Sequence, residues 1–196
     1  MPVVTLSRFT VLYFYIGVAL LLGFVAARQG LSLGNSILFL TLGFISWGFI
    51  EYGLHRFIFH HEARSSLGRK LLYYAHISHH ENPKARSRFF ASMILSSPIA
   101  ITYWLLAWAL TGSQGAAYWL FIGMTAGYFC YESLHFQCHH GRSRLRLLRY
   151  LRTYHLLHHY RTPELRFGVT SPLFDLVFGT FAQIRSSRRF QNQSAV

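Results

Sequence analysis

Chemistry in this sequence is concentrated in its histidines. Twelve occur in a chain of 196 residues, all in four tight groups. These are His55, His60 and His61; His76, His79 and His80; His135, His139 and His140; and His155, His158 and His159. Imidazole is a good ligand for iron, zinc, copper and nickel, and residues three or four apart share one face of a helix. His76, His79 and His80 can therefore converge on a single point. His155, His158 and His159 repeat that arrangement, and His135 and His139 form an i,i+4 pair. One ion takes at most about four or five imidazoles, commonly four, so this many implies two ions.

The groups keep a register. His60, His61, His76, His79 and His80 recur 79 residues later as His139, His140, His155, His158 and His159, while His55 recurs as His135 at an offset of 80. A histidine tag or metal-buffering tract has no such register. Both halves must meet to complete one site.

Carboxylates are scarce. All six (Glu51, Glu62, Glu81, Glu132, Glu164 and Asp175) fall on the histidine side of the apolar stretches. Glu51 precedes His55 by one helical turn and Glu132 precedes His135 by three residues. A metal-bound histidine usually donates its second N–H to a carboxylate or carbonyl, so Glu51 and Glu132 are expected in that supporting role. Glu62 and Glu81, each beside a histidine, receive no assignment.

The elements that must position these groups are apolar. Hydrophobic residues make up 52% of the chain and charged residues 13%, about half the usual ~25%. Four apolar stretches, residues 9–27, 36–54, 90–110 and 116–134, each approach the roughly 20 residues that cross a ~30 Å hydrocarbon core. The first is too long for the ~7–15-residue core of a signal peptide and is read as a retained helix. The expected architecture is all-α, a single integral-membrane domain over residues 1–196. It comprises four transmembrane helices, as two hairpins, with a histidine-rich helical cap holding a di-metal site.

Charge gives the expected orientation. The net charge is +13, from 19 Lys+Arg against 6 Asp+Glu. If the four stretches alternate in direction, 18 of the 19 cations fall on one side. The positive-inside rule then places both termini and every histidine in the cytoplasm. Residues 142–152 (RSRLRLLRYLR) interleave arginine with leucine, the pattern of a basic helix in the headgroup layer of anionic lipids. Such a charge excess also suits nucleic acid, but a phosphate-binding fold has no use for four apolar stretches, and no nucleic-acid partner is expected. Cys130 and Cys138 do not form a disulfide framework and are read as free thiols.

At these residues the chain resembles the fatty acid hydroxylase superfamily, which includes sterol desaturases and fatty acid 2-hydroxylases. The resemblance rests on EYGLHRFIFH (residues 51–60), HISHH (76–80), YESLHFQCH (131–139) and YHLLHHYRTPELRFGVTSPLFDLVFGT (154–180), and covers about residues 40–182. It implies ten metal ligands: His55, His60, His76, His79, His80, His135, His139, His155, His158 and His159. His61 and His140 fall outside that set. The EYxxHRFxFH and FGVTSPLFD stretches are most similar to the 2-hydroxylase branch, from which the chain departs in having Glu132 where that branch tends to have Asp.

What the resemblance implies is oxygen activation by two iron ions, with zinc a replacement in purified protein. Dioxygen is the co-substrate, a lipid or fatty acyl chain the substrate, and hydroxylation or desaturation of an unactivated C–H bond the outcome. Because this chain lacks a cytochrome b5-like domain, the expected electron donor is separate, a ferredoxin or a cytochrome b5-like protein, and the expected location a bacterial inner membrane. A related enzyme acting on a carotenoid or sterol shares histidine boxes but is less similar over EYxxHRFxFH and FGVTSP. A non-catalytic zinc- or haem-binding membrane protein is the reading from another class. Transporters usually place ionisable ligands within the spans, whereas these histidines lie at their edge.

Overall fold

The computed structural model describes residues 8–85 and 93–184, and among them every regular element is helical. The elements are α1 (Arg8–Ala27), α2 (Leu33–Gly53), α3 (Ser66–Leu72), α4 (Ser78–Glu81), α5 (Met93–Thr111), α6 (Gln114–His140), α7 (Arg146–Tyr160) and α8 (Leu173–Val177). Two π-helical turns extend them: Leu54–Phe59 continues α2, and Tyr73–Ile77 joins α3 to α4. Residues 90–92 of the third apolar stretch lie outside the described residues, as do Arg86, Arg88, Arg185, Arg188 and Arg189.

Local chemistry sets the helix ends. The hydroxyls of Ser32, Ser65 and Ser113 accept from the amides of Asn35, Gly68 and Ala116, each satisfying a donor in a first turn that has no partner within its helix. Gly112, at φ +61°, supplies the left-handed residue that closes α5. The α1–α2 and α5–α6 connections are accordingly tight turns.

The centre of the bundle is α6, which packs against α1, α2, α5 and α7. Small residues make this possible. A Cβ at Gly123 would sit 2.0 Å from the Leu40 carbonyl oxygen, and one at Gly43 would sit 2.1 Å from that of Leu120. The α2 and α6 backbones therefore touch, as small residues allow between helices in an apolar medium. Val11 and Tyr15 of α1, Trp47 of α2, Ala100 of α5, and Phe121, Met124 and Tyr128 of α6 form the core around that contact.

Outward, α1, α2 and α5 expose large apolar side chains, among them Leu20, Phe24, Ile37, Phe49, Leu106 and Leu110. By length and apolar character, one helix of the described residues is able to cross a membrane, the 27-residue run Leu33–Phe59; Tyr13–Ala27 and Leu95–Thr111 are shorter apolar runs. The fourth apolar stretch behaves differently from the others. Its Ala116, Ala117, Phe121, Gly123, Met124 and Thr125 are buried inside the bundle. The helix does not stop at Leu134 either but continues unbroken through His135, His139 and His140, so these histidines stand on the same rigid rod as the core.

Gly123→Ala is expected to force α2 and α6 apart and destabilise the protein by about 1–3 kcal/mol. Thermal unfolding of the purified protein measures this. Gly17→Ala, inside α1 where an added Cβ meets nothing within 4 Å, is the matched control and should not lower the transition, since alanine is the better helix former.

Candidate metal centre

Four helical segments deliver the histidines to one end of the bundle. Helices α2 and α6 point their C-terminal ends the same way, and the segment 73–81 and α7 bring their histidines to those ends. Ten of the twelve histidines gather there as two groups of five. One comprises His55, His60, His76, His80 and His158; the other comprises His79, His135, His139, His155 and His159. Within each group the available ring nitrogens all lie within 4.8 Å of one another. His61 is exposed and His140, packed against the Phe136 ring, is half-buried; neither belongs to a group.

The division follows from helix geometry. His76 and His80 are one turn apart and face the first group, as His155 and His159 are one turn apart and face the second. The middle residue of each triplet points about 100° away from its neighbour, at 3.6 residues per turn. His79 therefore crosses into the second group and His158 into the first. The expectation that His76, His79 and His80 converge on one point is corrected here, and likewise for His155, His158 and His159: spacings of three and four do not aim at the same point when two sites lie side by side. The internal register maps one group onto the other, with the crossing pair exchanged. Across the boundary the His80 and His159 rings stack with centroids 4.0 Å apart.

The π-helical turn accounts for the one irregularity in the register. His55 and His60 are five residues apart, too far round to share a face of an α-helix. In the turn Leu54–Phe59 the His60 amide donates to the His55 carbonyl (3.3 Å), an i to i+5 bond that brings both rings into the first group. Their counterparts His135 and His139 are four apart on regular α-helix. The π turn absorbs the extra residue; such turns are frequent at functional sites.

The ring nitrogens fit a cation. In the first group His76 Nε2 lies 3.1 Å from His55 Nε2 and 2.8 Å from His80 Nε2. In the second, Nε2 separations run 2.9 Å (His135–His79), 3.2 Å (His79–His139), 2.9 Å (His139–His155) and 3.0 Å (His155–His159). A ring nitrogen carries either one N–H or one lone pair, so a nitrogen with two such neighbours cannot hydrogen-bond both in line. Nitrogens bound about 2.1 Å from a common ion at right angles would be about 3.0 Å apart, which matches the spacing observed.

Tautomers agree with that fit. A carbonyl only accepts, so His55 Nδ1–H donates to the Phe167 carbonyl (2.5 Å) and His158 Nδ1–H to that of Leu165 (2.7 Å). In the neutral ring this leaves each Nε2 as a bare lone pair directed into the first group, and the buried His158 Nε2 has no hydrogen-bond partner. Burial, with the neighbouring imidazoles adding to it, also keeps the rings uncharged. It holds His76 and His155 well below the usual histidine range and pushes His79, His80 and His158 down to about 3. Neutral imidazole is the form that binds metal.

Glu51 and Glu132 are both buried, at 4% exposure each, but Glu51 is not hydrogen-bonded to a histidine. Its carboxylate accepts from the amides of Val169 (2.6 Å) and Thr170 (2.9 Å) and from the Thr170 hydroxyl. The histidine partner on that side is a backbone carbonyl, Phe167 O, in the segment that Glu51 holds. Glu132 lies on α6 three residues before His135, beside the Tyr128 hydroxyl. Sequence reasoning had left Asp175 without a role. It is fully buried and binds the same loop through the amides of Phe167 and Gly168. The available signal was an acid lodged in the otherwise apolar SPLFDLVFG run.

Comparison with known proteins bears on this arrangement. The family model described as fatty acid hydroxylase matches residues 40–180, which include all ten clustered histidines. The dihydroceramide fatty acyl 2-hydroxylase FAH1 of Arabidopsis thaliana is 33% identical over 166 residues, 85% of this chain and 70% of the relative. The ceramide very long chain fatty acid hydroxylase SCS7 of Saccharomyces cerevisiae is 34% identical over 146 residues, 71% of this chain and 37% of the relative. A solved structure of full-length scs7p, in which only the hydroxylase domain is visible, superposes with a TM-score of 0.82 at 33% identity, covering 90% of this chain and 67% of that one. Similarity of sequence and of fold thus extends across the histidine clusters, and the chain belongs to the fatty acid hydroxylase family.

Proposed function

We propose that this chain is a membrane-embedded di-iron oxygenase that hydroxylates a fatty acyl chain, in a lipid or a free fatty acid, at C2. The observation that carries the reading is the pair of five-nitrogen clusters in a member of this family. His55, His60, His76, His80 and His158 hold one ion and His79, His135, His139, His155 and His159 the other. The metal is iron in the active protein, and zinc is able to replace it on purification because N-donor sites generally bind it more tightly than ferrous iron. Two ferrous ions bound there supply reductive activation of dioxygen: C–H becomes C–OH and the second oxygen atom leaves as water, with two electrons and two protons from outside. A ferredoxin or a cytochrome b5-like protein is the class of donor required.

The chain's own residues supply the surroundings. Leu165 and Phe167 carbonyls hold the His158 and His55 rings in the tautomer that presents Nε2. Burial of His55, His76, His79, His135, His155 and His158 keeps water from the donor atoms, which protects a reactive oxidant from side reactions. Glu132 is assigned a supporting role beside His135, and Glu51 supports His55 through the 169–170 amides it binds.

Depth supports a carbon near the carboxyl end. We place α1, α2, α5 and α6 as four transmembrane helices, with the clusters and both termini cytoplasmic. Support comes from the exposed apolar faces of α1, α2 and α5, the kind of surface that marks a membrane or partner contact, and from the cations that the sequence gathers on the histidine side. Exposed Arg144, Arg146 and Arg149 with exposed Leu145 and Leu147 suit the start of α7 to a headgroup layer of anionic lipid. A lipid whose head stays in that layer presents the first carbons of its acyl chain at the depth of the clusters. The names of the relatives, fatty acid 2-hydroxylases among them, favour the same carbon.

Three results test the proposal. Elemental analysis of purified protein should give two ions per chain, and His158→Ala or His79→Ala should each lower that count and abolish activity. His61→Ala should preserve both. A count of one in well-folded wild type would contradict the assignment. With reductant, oxygen and a labelled acyl lipid, ¹⁸O from dioxygen should appear as a hydroxyl at C2, whereas a new double bond without incorporated oxygen would move the enzyme to the desaturase branch. For topology, a cysteine probe at Gln114 should label from outside the cell and one at Ser65 should not; the reverse pattern would invert the orientation.

A further inference from the structure

The first cluster depends on residues that form no part of it. Four successive amides in the loop before α8 are divided between two buried carboxylates: Phe167 and Gly168 donate to Asp175 Oδ1 (2.8 Å) and Oδ2 (2.9 Å), and Val169 and Thr170 donate to Glu51. The carbonyls of the same segment, Leu165 and Phe167, are the ones that take the Nδ1–H of His158 and His55. Asp175 is completely buried and hydrogen-bonds no histidine. It also accepts from the Thr180 hydroxyl (2.7 Å), which lies 2.9 Å from the Tyr52 hydroxyl, and that hydroxyl receives the Arg56 guanidinium at 2.6 Å.

Backbone geometry commits the loop to this path. Arg166 takes a left-handed conformation at φ +64°, unusual for a residue with a side chain. A Cβ at Gly168 would fall 2.2 Å from the Ser171 carbonyl oxygen and 2.9 Å from Asp175 Oδ2, so the loop closes onto the carboxylate only with glycine there. Charge-assisted bonds from amides to a buried carboxylate are among the stronger and shorter hydrogen bonds in proteins.

We propose that Asp175 is a positioning residue for the first cluster: by holding the Phe167 and Gly168 amides it sets the carbonyls that fix the tautomer and aim of His55 and His158. This rests on the two-ion reading above. The role belongs to one site and not to both, because the two histidines held by the loop are members of the same cluster.

The test is a calorimetric titration of metal-free, full-length protein with Zn²⁺. Wild type should show two binding events. Asp175→Asn puts an amide N–H where an acceptor is needed, and should weaken one event by about 10-fold or more, the size typical of lost outer partners of metal ligands, while leaving the other unchanged. In a His135→Ala background, where the first cluster keeps all its ligands, Asp175→Asn should weaken the remaining event. In a His60→Ala background it should leave the remaining event alone. A total stoichiometry below two Zn²⁺ per chain in wild type overturns the two-ion reading, and this proposal with it. Two events in wild type that Asp175→Asn leaves intact, or weakens equally, overturns the positioning role alone. Should Asp175→Asn not fold, Thr180→Val removes a single donor to Asp175 and should weaken the same event by a few-fold, less than the loss at Asp175 itself because the Phe167 and Gly168 amides keep their acceptor. No change there contradicts the proposal.

Discussion

Ten neutral imidazoles crowded at one end of a helix bundle are the constraint on which the rest of this structure depends. Their ring nitrogens approach to about 3 Å in chains that single protons cannot satisfy. Lone pairs so placed are suited to sharing a cation, provided the rings are held where they are. The proposed ions supply the cation. The need to hold the rings accounts for the neighbouring architecture: a continuous α6 carrying His135 and His139, a π turn that swings His60 beside His55, and a loop pinned by Glu51 and Asp175.

Exchange of one histidine between the halves binds the site together. Were His79 and His158 to stay with their own triplets, each half would form an independent group of five. Crossing makes each cluster incomplete without the other half. It also brings the His80 and His159 rings face to face, 4.0 Å apart, so the two centres are neighbours by construction.

Much of this was legible in the sequence. The clustering of the histidines, the expectation of two ions and the meeting of the two halves are read from spacing and register, whereas the set of ten, without His61 and His140, is what the family resemblance implies. What stayed hidden depended on backbone conformation. Spacings of three and four place His76, His79 and His80 on one broad face, and only with two sites side by side does the angle of about 100° between His79 and His80 send them to different groups. The offset of 80 at His55 against 79 elsewhere was visible but uninterpretable without the π turn that absorbs it. Glu51 read as a histidine partner because it lies one turn away on α2. A loop more than 110 residues further along intervenes, and no local pattern announces it. Asp175 was hidden for the same reason. Composition likewise marked α6 as one of four similar apolar stretches, whereas its glycines and alanines make it the buried centre against which the others pack.

Anomalous scattering from crystals of the metal-loaded protein, collected at the absorption edge of the bound metal, tests the central claim most directly. Two peaks are expected, one enclosed by His55, His60, His76, His80 and His158 and the other by His79, His135, His139, His155 and His159. A single peak, or peaks that keep His76, His79 and His80 together around one ion, would contradict the interlocked arrangement.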